Sequence, residues 1–173
     1  RKQDGQITNE DRYMSNKSPN PDFFYGVSLK LSYKNWDFGF NGHGTVGNYM
    51  FNDVLRSGAT AYYRDVIDKG YLVNTQTAGA KYGFKDASTT AQSLSDMFLE
   101  DASFFRMDDI NLGYTFRNVG QCKTQIRVAA GVQNVFVLTK YSGLDPESSV
   151  AGGIDGNIYP RPRIYSVRLG INF

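Results

Sequence analysis

Apolar and polar side chains alternate along this chain in unusually long runs. Phe23, Tyr25, Val27, Leu29, Leu31 and Tyr33 are apolar, while Gly26, Ser28, Lys30 and Ser32 between them are small or polar. Successive side chains of a strand point to opposite faces, so the pattern predicts a strand over 22–34 with one oily and one wet face. Only Phe24 breaks the phase. Lys34-Asn35 reads as a two-residue hairpin turn. The alternation then resumes over 36–44, with Trp36, Phe38, Phe40 and Gly42 set against Asp37, Gly39, Asn41 and His43. A third strand is predicted over 103–116. There Phe105 and Met107 are apolar at odd positions, but Ile110, Leu112, Tyr114 and Phe116 at even ones. One extra residue near Asp108-Asp109, a β-bulge, would restore a single oily face. A fourth strand over 124–134 sets Ile126, Val128, Ala130 and Val132 against Gln125, Arg127, Gly131 and Gln133. The last, over 163–173, sets Tyr165, Val167, Leu169, Ile171 and Phe173 against Ser166, Arg168, Gly170 and Asn172.

The connections differ sharply in length. Residues 34–35 and 117–123 are short polar turns, whereas 1–21, 45–102 and 135–162 are long and lose the alternation. Short helical turns fit 52–55 and 91–99, and Pro160 and Pro162 forbid ladder donation just before the last strand.

A soluble sandwich and a membrane barrel both use oily faces, and three features favour the barrel. Ordinary strands run to about five or six residues. Eleven residues at about 3.3 Å each, tilted near 45°, cover roughly 25 Å, the height of an outer-membrane apolar band. Connections that alternate short and long match periplasmic turns and extracellular loops, which places the carboxyl end in the periplasm. Aromatic residues gather at strand ends, with Tyr33, Trp36, Tyr114, Phe116 and Phe173 toward one side and Phe23, Tyr25 and Tyr165 toward the other. Headgroup layers attract such rings. The fold class expected is therefore all-β, a transmembrane antiparallel β-barrel. Five strands do not close one, so further strands are expected before Arg1.

Composition narrows the picture further. Twelve Tyr, twelve Phe and eighteen Gly suit strands, tight turns and interfacial anchoring. A net charge of +2 spread along the chain argues against nucleic acid. The single cysteine, Cys122, excludes an internal disulfide. Asp4-Gly5 followed by Asp11 has the spacing of half a calcium loop. Lys2 stands where a ligand oxygen belongs, however, so Asp4 and Asp11 remain calcium candidates and no cofactor is assigned. His43 is the only histidine and has no serine at a spacing that pairs with it, so no enzyme is expected.

Several short motifs occur in order: Asp4-Gly5-Gln6-Ile7-Thr8, Asn20-Pro21-Asp22-Phe23, Tyr33-Lys34-Asn35-Trp36-Asp37 and Ser103-Phe104-Phe105-Arg106. Asn111-Leu112-Gly113-Tyr114-Thr115, Gln133-Asn134-Val135-Phe136, Leu138-Thr139-Lys140-Tyr141-Ser142-Gly143-Leu144-Asp145-Pro146-Glu147 and Tyr159-Pro160-Arg161-Pro162 follow. In these the chain resembles the C-terminal end of the SusC/RagA-type TonB-dependent transporters of Bacteroidota outer membranes. That resemblance implies the last five strands of a barrel of about 22 strands, with a plug domain upstream. It implies TonB-driven import of oligosaccharide or peptide, a SusD-like surface lipoprotein as lid, and the barrel assembly machinery as a partner that reads the last strand. A passive porin and a secreted carbohydrate-binding β-sandwich are the other readings the residues leave open.

The candidate residues follow from these placements. Tyr62, Tyr63, Tyr71 and Tyr82, with Arg56 and Arg64, are the candidates for substrate or lid contact, since rings stack on sugars and guanidinium groups meet acidic partners. Lys30, Asp37, Asn41, His43, Arg127, Gln133 and Arg168 are expected to face the lumen. Tyr165, Val167, Leu169, Ile171 and Phe173 form the expected assembly signal.

Overall fold

The computed structural model describes residues 10, 12–59, 95–120, 124–147, 149–150 and 152–172. The chain divides into two compact units. One is a five-stranded antiparallel sheet. It is built from β1 (Phe23–Tyr33), β2 (Trp36–Val46), β5 (Phe104–Val119), β6 (Thr124–Thr139) and β9 (Ile164–Asn172), in the order β1-β2-β5-β6-β9. The other holds β3 (Tyr49–Phe51), helix α1 (Asp53–Ala59), β4 (Leu99–Asp101), β7 (Ser149–Val150) and β8 (Ile154–Asp155), which form a small mixed sheet and one helix.

Register keeps the two faces of the large sheet distinct. Leu31, Phe38, Leu112, Ala130 and Val167 stand opposite one another across the strands, and so do Leu29, Phe40, Ile110, Val132 and Tyr165. A shift of one residue in any strand would move its apolar set to the wet face. Asp108 is the extra residue that makes this register possible. Asn41 pairs with Asp109 and Gly42 with Met107, so β5 bulges between them.

Aromatic side chains band the apolar face at both ends. Phe23 stacks on Tyr25 at 6.2 Å, Tyr25 on Phe105 at 6.1 Å, and Phe105 meets Phe136 at 6.3 Å. At the other end the Tyr114 ring takes Trp36 and Phe116 edge-on, each at 4.7 Å. Tyr165 belongs to neither band. It stands on the Ile110–Val132 rung, because β9 starts later than its neighbours at that end.

Among the described residues no layer covers the apolar face: Val167 is 80% exposed, Leu169 66% and Leu112 45%. A soluble sandwich would bury these side chains, so the sheet is one whose oily side needs a solvent other than water. No helix among the described residues is long and apolar enough to cross a membrane, which says nothing about strands.

The strands end differently from the pattern's outline. β2 continues two residues to Val46, and β5 continues three to Val119. β6 runs to Thr139, five residues past 134. Asn134 takes a left-handed φ of 51° and is absorbed as an irregularity, after which Phe136 and Leu138 rejoin the apolar face. The other two strands begin one residue later than expected, β1 at Phe23 and β9 at Ile164; β1 ends at Tyr33 and Phe173 lies outside the described residues. The stretch 45–102, expected as a loop with short helical turns at 52–55 and 91–99, carries α1 and a 3-10 turn at Asp96–Phe98 in those places, and adds the short strands β3 and β4.

The small unit is held by buried polar side chains around a slim apolar core of Met50, Ala102 and Tyr141. Asn52 is 2% exposed. Its amide donates to Glu100 Oε1 at 3.0 Å and Ser142 Oγ at 3.1 Å, and its Oδ1 accepts from the Leu55 amide at 2.8 Å. That last bond makes Asn52 the N-cap of α1. Ser142 donates to the Glu100 carboxylate twice, from its amide at 2.8 Å and its hydroxyl at 2.7 Å. Tyr141 donates its hydroxyl to Asp155 at 2.6 Å. Burial first, and then that bond, pushes the Tyr141 hydroxyl above the ordinary phenol range, so it holds its proton. Gly152 and Gly153 turn the chain between β7 and β8 at φ of 86° and 79°, which side chains with a Cβ adopt poorly.

Candidate functional site

The polar face of the large sheet gathers the charged and amide side chains into linked sets. Ser28 donates to Asn41 at 2.7 Å, and Asn41 donates to Asp109 at 2.8 Å. Asp109 accepts a second amide bond from Asn111 at 2.6 Å. This chain of bonds crosses β1, β2 and β5 on one level. Beside the bulge, His43 Nδ1 lies 2.6 Å from Asp108 Oδ2, and its ring meets Phe104 edge-on at 5.6 Å. Arg106, almost fully buried, donates to Asn134 Oδ1 at 2.6 Å. The residue that bulges β6 is thereby tied to the first residues of β5.

One ion pair spans three strands. Arg127 on β6 reaches over β5 to Asp37 on β2, with Nε 3.1 Å from Oδ1 and Nη2 2.5 Å from Oδ2. Gly113 lies between them, paired to Asp37 on one side and Ala129 on the other. A Cβ there would stand 2.6 Å from Arg127 Nη2 and from both Asp37 oxygens. The missing side chain is what lets the two charges meet. Both are partly exposed, so the pair contributes only about 0.2–1 kcal/mol. In a double-mutant cycle on the full-length protein, Asp37→Asn and Arg127→Gln should couple by that amount. The coupling should disappear in a Gly113→Ala background, where the added methyl parts the pair. Coupling that survives Gly113→Ala would contradict this role for the glycine.

Lys30, Asp37, Asn41, His43, Arg127, Gln133 and Arg168 all lie on this polar face. The structure brings Asp37 to Arg127; His43 and Asn41 meet acidic groups of β5 that the pattern did not single out. Arg56 sits in α1, its Nε 2.6 Å from Asp53 Oδ1 one helical turn earlier. Tyr62, Tyr63, Tyr71, Tyr82, Arg64, Asp4, Asp11 and Phe173 lie outside the described residues. Tyr165, Val167, Leu169 and Ile171 project from the apolar face and are exposed. Among the described residues no group of three or more His, Cys, Asp or Glu side chains is placed to hold a metal ion.

Between β5, β6 and β9 the polar face opens into a cleft of about 590 Å³. Its floor is small, Ala129 and Gly131, and Arg127, Gln133, Ser166 and Arg168 stand around it. Arginines outnumber aspartates on its lining four to two.

The chain is 36% identical to the TonB-dependent receptor SusC of Bacteroides thetaiotaomicron over 98% of its length. It is 26% identical to the TonB-dependent receptor P3 of Formosa agariphila, also over 98%. The chain belongs to the C-terminal portion of the SusC/RagA family of TonB-dependent receptors. It spans 17% of the SusC receptor and 18% of P3. Among solved structures, it matches a chain of the RagAB peptide transporter with a TM-score of 0.72 at 26% identity, covering 96% of itself and 19% of that chain. The RagAB peptide importer in its closed-closed state gives a TM-score of 0.67 at 25% identity, over 97% and 20%. No family model matches. Membership in the SusC/RagA family identifies the apolar face as the wall of an outer-membrane β-barrel, and explains why aromatic bands take the place of a buried core.

Proposed function

We propose that this chain is wall and loop structure of an importer that moves oligosaccharide or peptide nutrients across the outer membrane. The energy comes through TonB, and a SusD-like surface lipoprotein works with the barrel. The likeness to the SusC receptor along almost the whole chain carries this reading, and the RagAB peptide transporter supports a peptide as readily as a glycan. The two-faced sheet fits: hydrocarbon covers one side, and the other offers charges and amides to a watery lumen. The protein's part is to bind and release, with no covalent chemistry and no cofactor.

The sheet also supports an orientation. The Tyr33–Trp36 and Val119–Thr124 ends and the pairing of Asn172 with Gln125 fall at one end of the strands. Short turns of such barrels face the periplasm, so the carboxyl end faces it too. The long connections that follow Val46 and Thr139 then leave the sheet at its outer end, where a lipoprotein lid would meet them.

Growth on defined glycans and peptides tests the reading. Deleting the full-length gene, TonB, or the gene of a SusD-like lipoprotein that co-purifies with the transporter is expected to abolish growth on the same nutrient. Growth that needs this protein but survives loss of TonB would instead mark a passive porin.

A further inference from the structure

We propose that the cleft between β5, β6 and β9 binds a carboxylate carried by the imported solute, with Arg168 as its anchor. The proposal rests on the importer reading and adds a substrate chemistry to it. Its starting point is the state of the charges around the cleft. Asp37 occupies Arg127, two amides hold Asp109, and His43 meets Asp108. Arg168 has no hydrogen-bond or ion-pair partner among the described residues, and neither has the amide of Gln133.

Register fixes how these groups are spaced. Arg168 stands opposite Ala129, Ser166 opposite Gly131, and Ile164 opposite Gln133. Arg168 and Gln133 therefore lie two rungs apart, about 13 Å along the strands. The floor between them carries only a methyl and a glycine, with the Asn111 amide lying over the latter. An extended solute of two or three units fits such a span. Its acidic end would take the planar donor fork of Arg168, which matches carboxylate geometry. Gln133 would meet a carbonyl or hydroxyl group further along, and the Ser166 hydroxyl, which donates to the Gly131 carbonyl at 3.4 Å, would accept from a solute hydroxyl or amide. One open guanidinium balances a single negative charge.

Isothermal titration on the detergent-purified, full-length transporter tests this with two pairs of probes. One pair is trialanine and its C-terminal amide; the other is a glucuronate-ended trisaccharide and its methyl ester. In at least one pair the acid should bind roughly tenfold or more tightly than its neutral form, and the pair that responds tells peptide from glycan. Arg168→Gln should remove that preference and leave neutral-form binding unchanged, while Arg168→Lys keeps part of it. No preference in either pair, or a preference that survives Arg168→Gln, overturns the proposal. So does failure of a water-soluble thiol reagent to reach Arg168→Cys in a Cys122→Ser background, because a covered cleft has protein as its occupant. Growth that still depends on TonB under any of these results leaves the importer reading standing.

Discussion

Val167→Arg should strip the outer membrane of most of its assembled transporter. Val167 is 80% exposed and stands on the rung of Leu31, Phe38, Leu112 and Ala130, between the two aromatic bands. An arginine on the lipid face near mid-bilayer costs about 2–4 kcal/mol, falling toward zero at the interfaces. Among the described residues nothing reaches over Val167 to pair with the new charge, and its partners on the rung are aliphatic or aromatic. The loss falls on the edge strand whose exposed Tyr165, Leu169 and Ile171 are expected to be read during assembly. Gln125→Arg, on the polar face of β6, is the control, because the same side chain there projects into water. Heat-modifiable gel migration of the full-length protein reads both variants. A Val167→Arg protein that assembles as well as Gln125→Arg would mean that hydrocarbon does not meet this face.

The strands were legible because each has a single solvent on each side. Where water and hydrocarbon flank a strand, every second residue answers to one of them, and period two is written into β1, β2 and β9 with only Phe24 and Ile164 out of phase. The bulge was legible for the same reason, since Asp108 is the point at which the odd phase of Phe105 becomes the even phase of Ile110. The far end of β6 was not. Residues 135–138 are apolar at every position, which erases the alternation, and Asn134 reads as a turn residue although the strand absorbs it.

Placement on the polar face could be read from phase, but partnership could not. Asp37 and Arg127 are 90 residues apart in sequence, and their meeting depends on a glycine in a third strand. The small unit was the least legible part. Its strands are two or three residues long, and its order comes from side chains such as Asn52 and Ser142, again 90 positions apart. Asparagine and serine at such places look like loop residues until the fold brings them together. The one hint was that Tyr141, Ser142 and Asp145 fall inside the longest of the family's motif runs.

Asn52→Leu should loosen the small unit while the sheet still assembles. The substitution is nearly equal in volume, so its effect isolates the hydrogen bonds. Three partners lose their bonds to Asn52 together: the Leu55 amide at the start of α1, the Ser142 hydroxyl, and one oxygen of the Glu100 carboxylate. A buried polar group left without its partner costs about 1–3 kcal/mol, more when charged. The Ser142 hydroxyl retains Glu100, so the sum is about 3 kcal/mol or more, a large share of what a small folded unit has to lose. Asn52→Asp separates geometry from charge. It keeps the acceptor for the Leu55 amide but sets a second carboxylate against Glu100, so it should be damaging at neutral pH and recover as acid protonates one of the two. Limited proteolysis of the full-length protein, followed at residues 95–102 and 141–159, reads the loosening, and heat-modifiable migration reads the barrel. If Asn52→Leu is as protease-resistant as the parent, the amide is not what ties these segments. If barrel assembly falls in parallel, the two units do not stand on separate interactions.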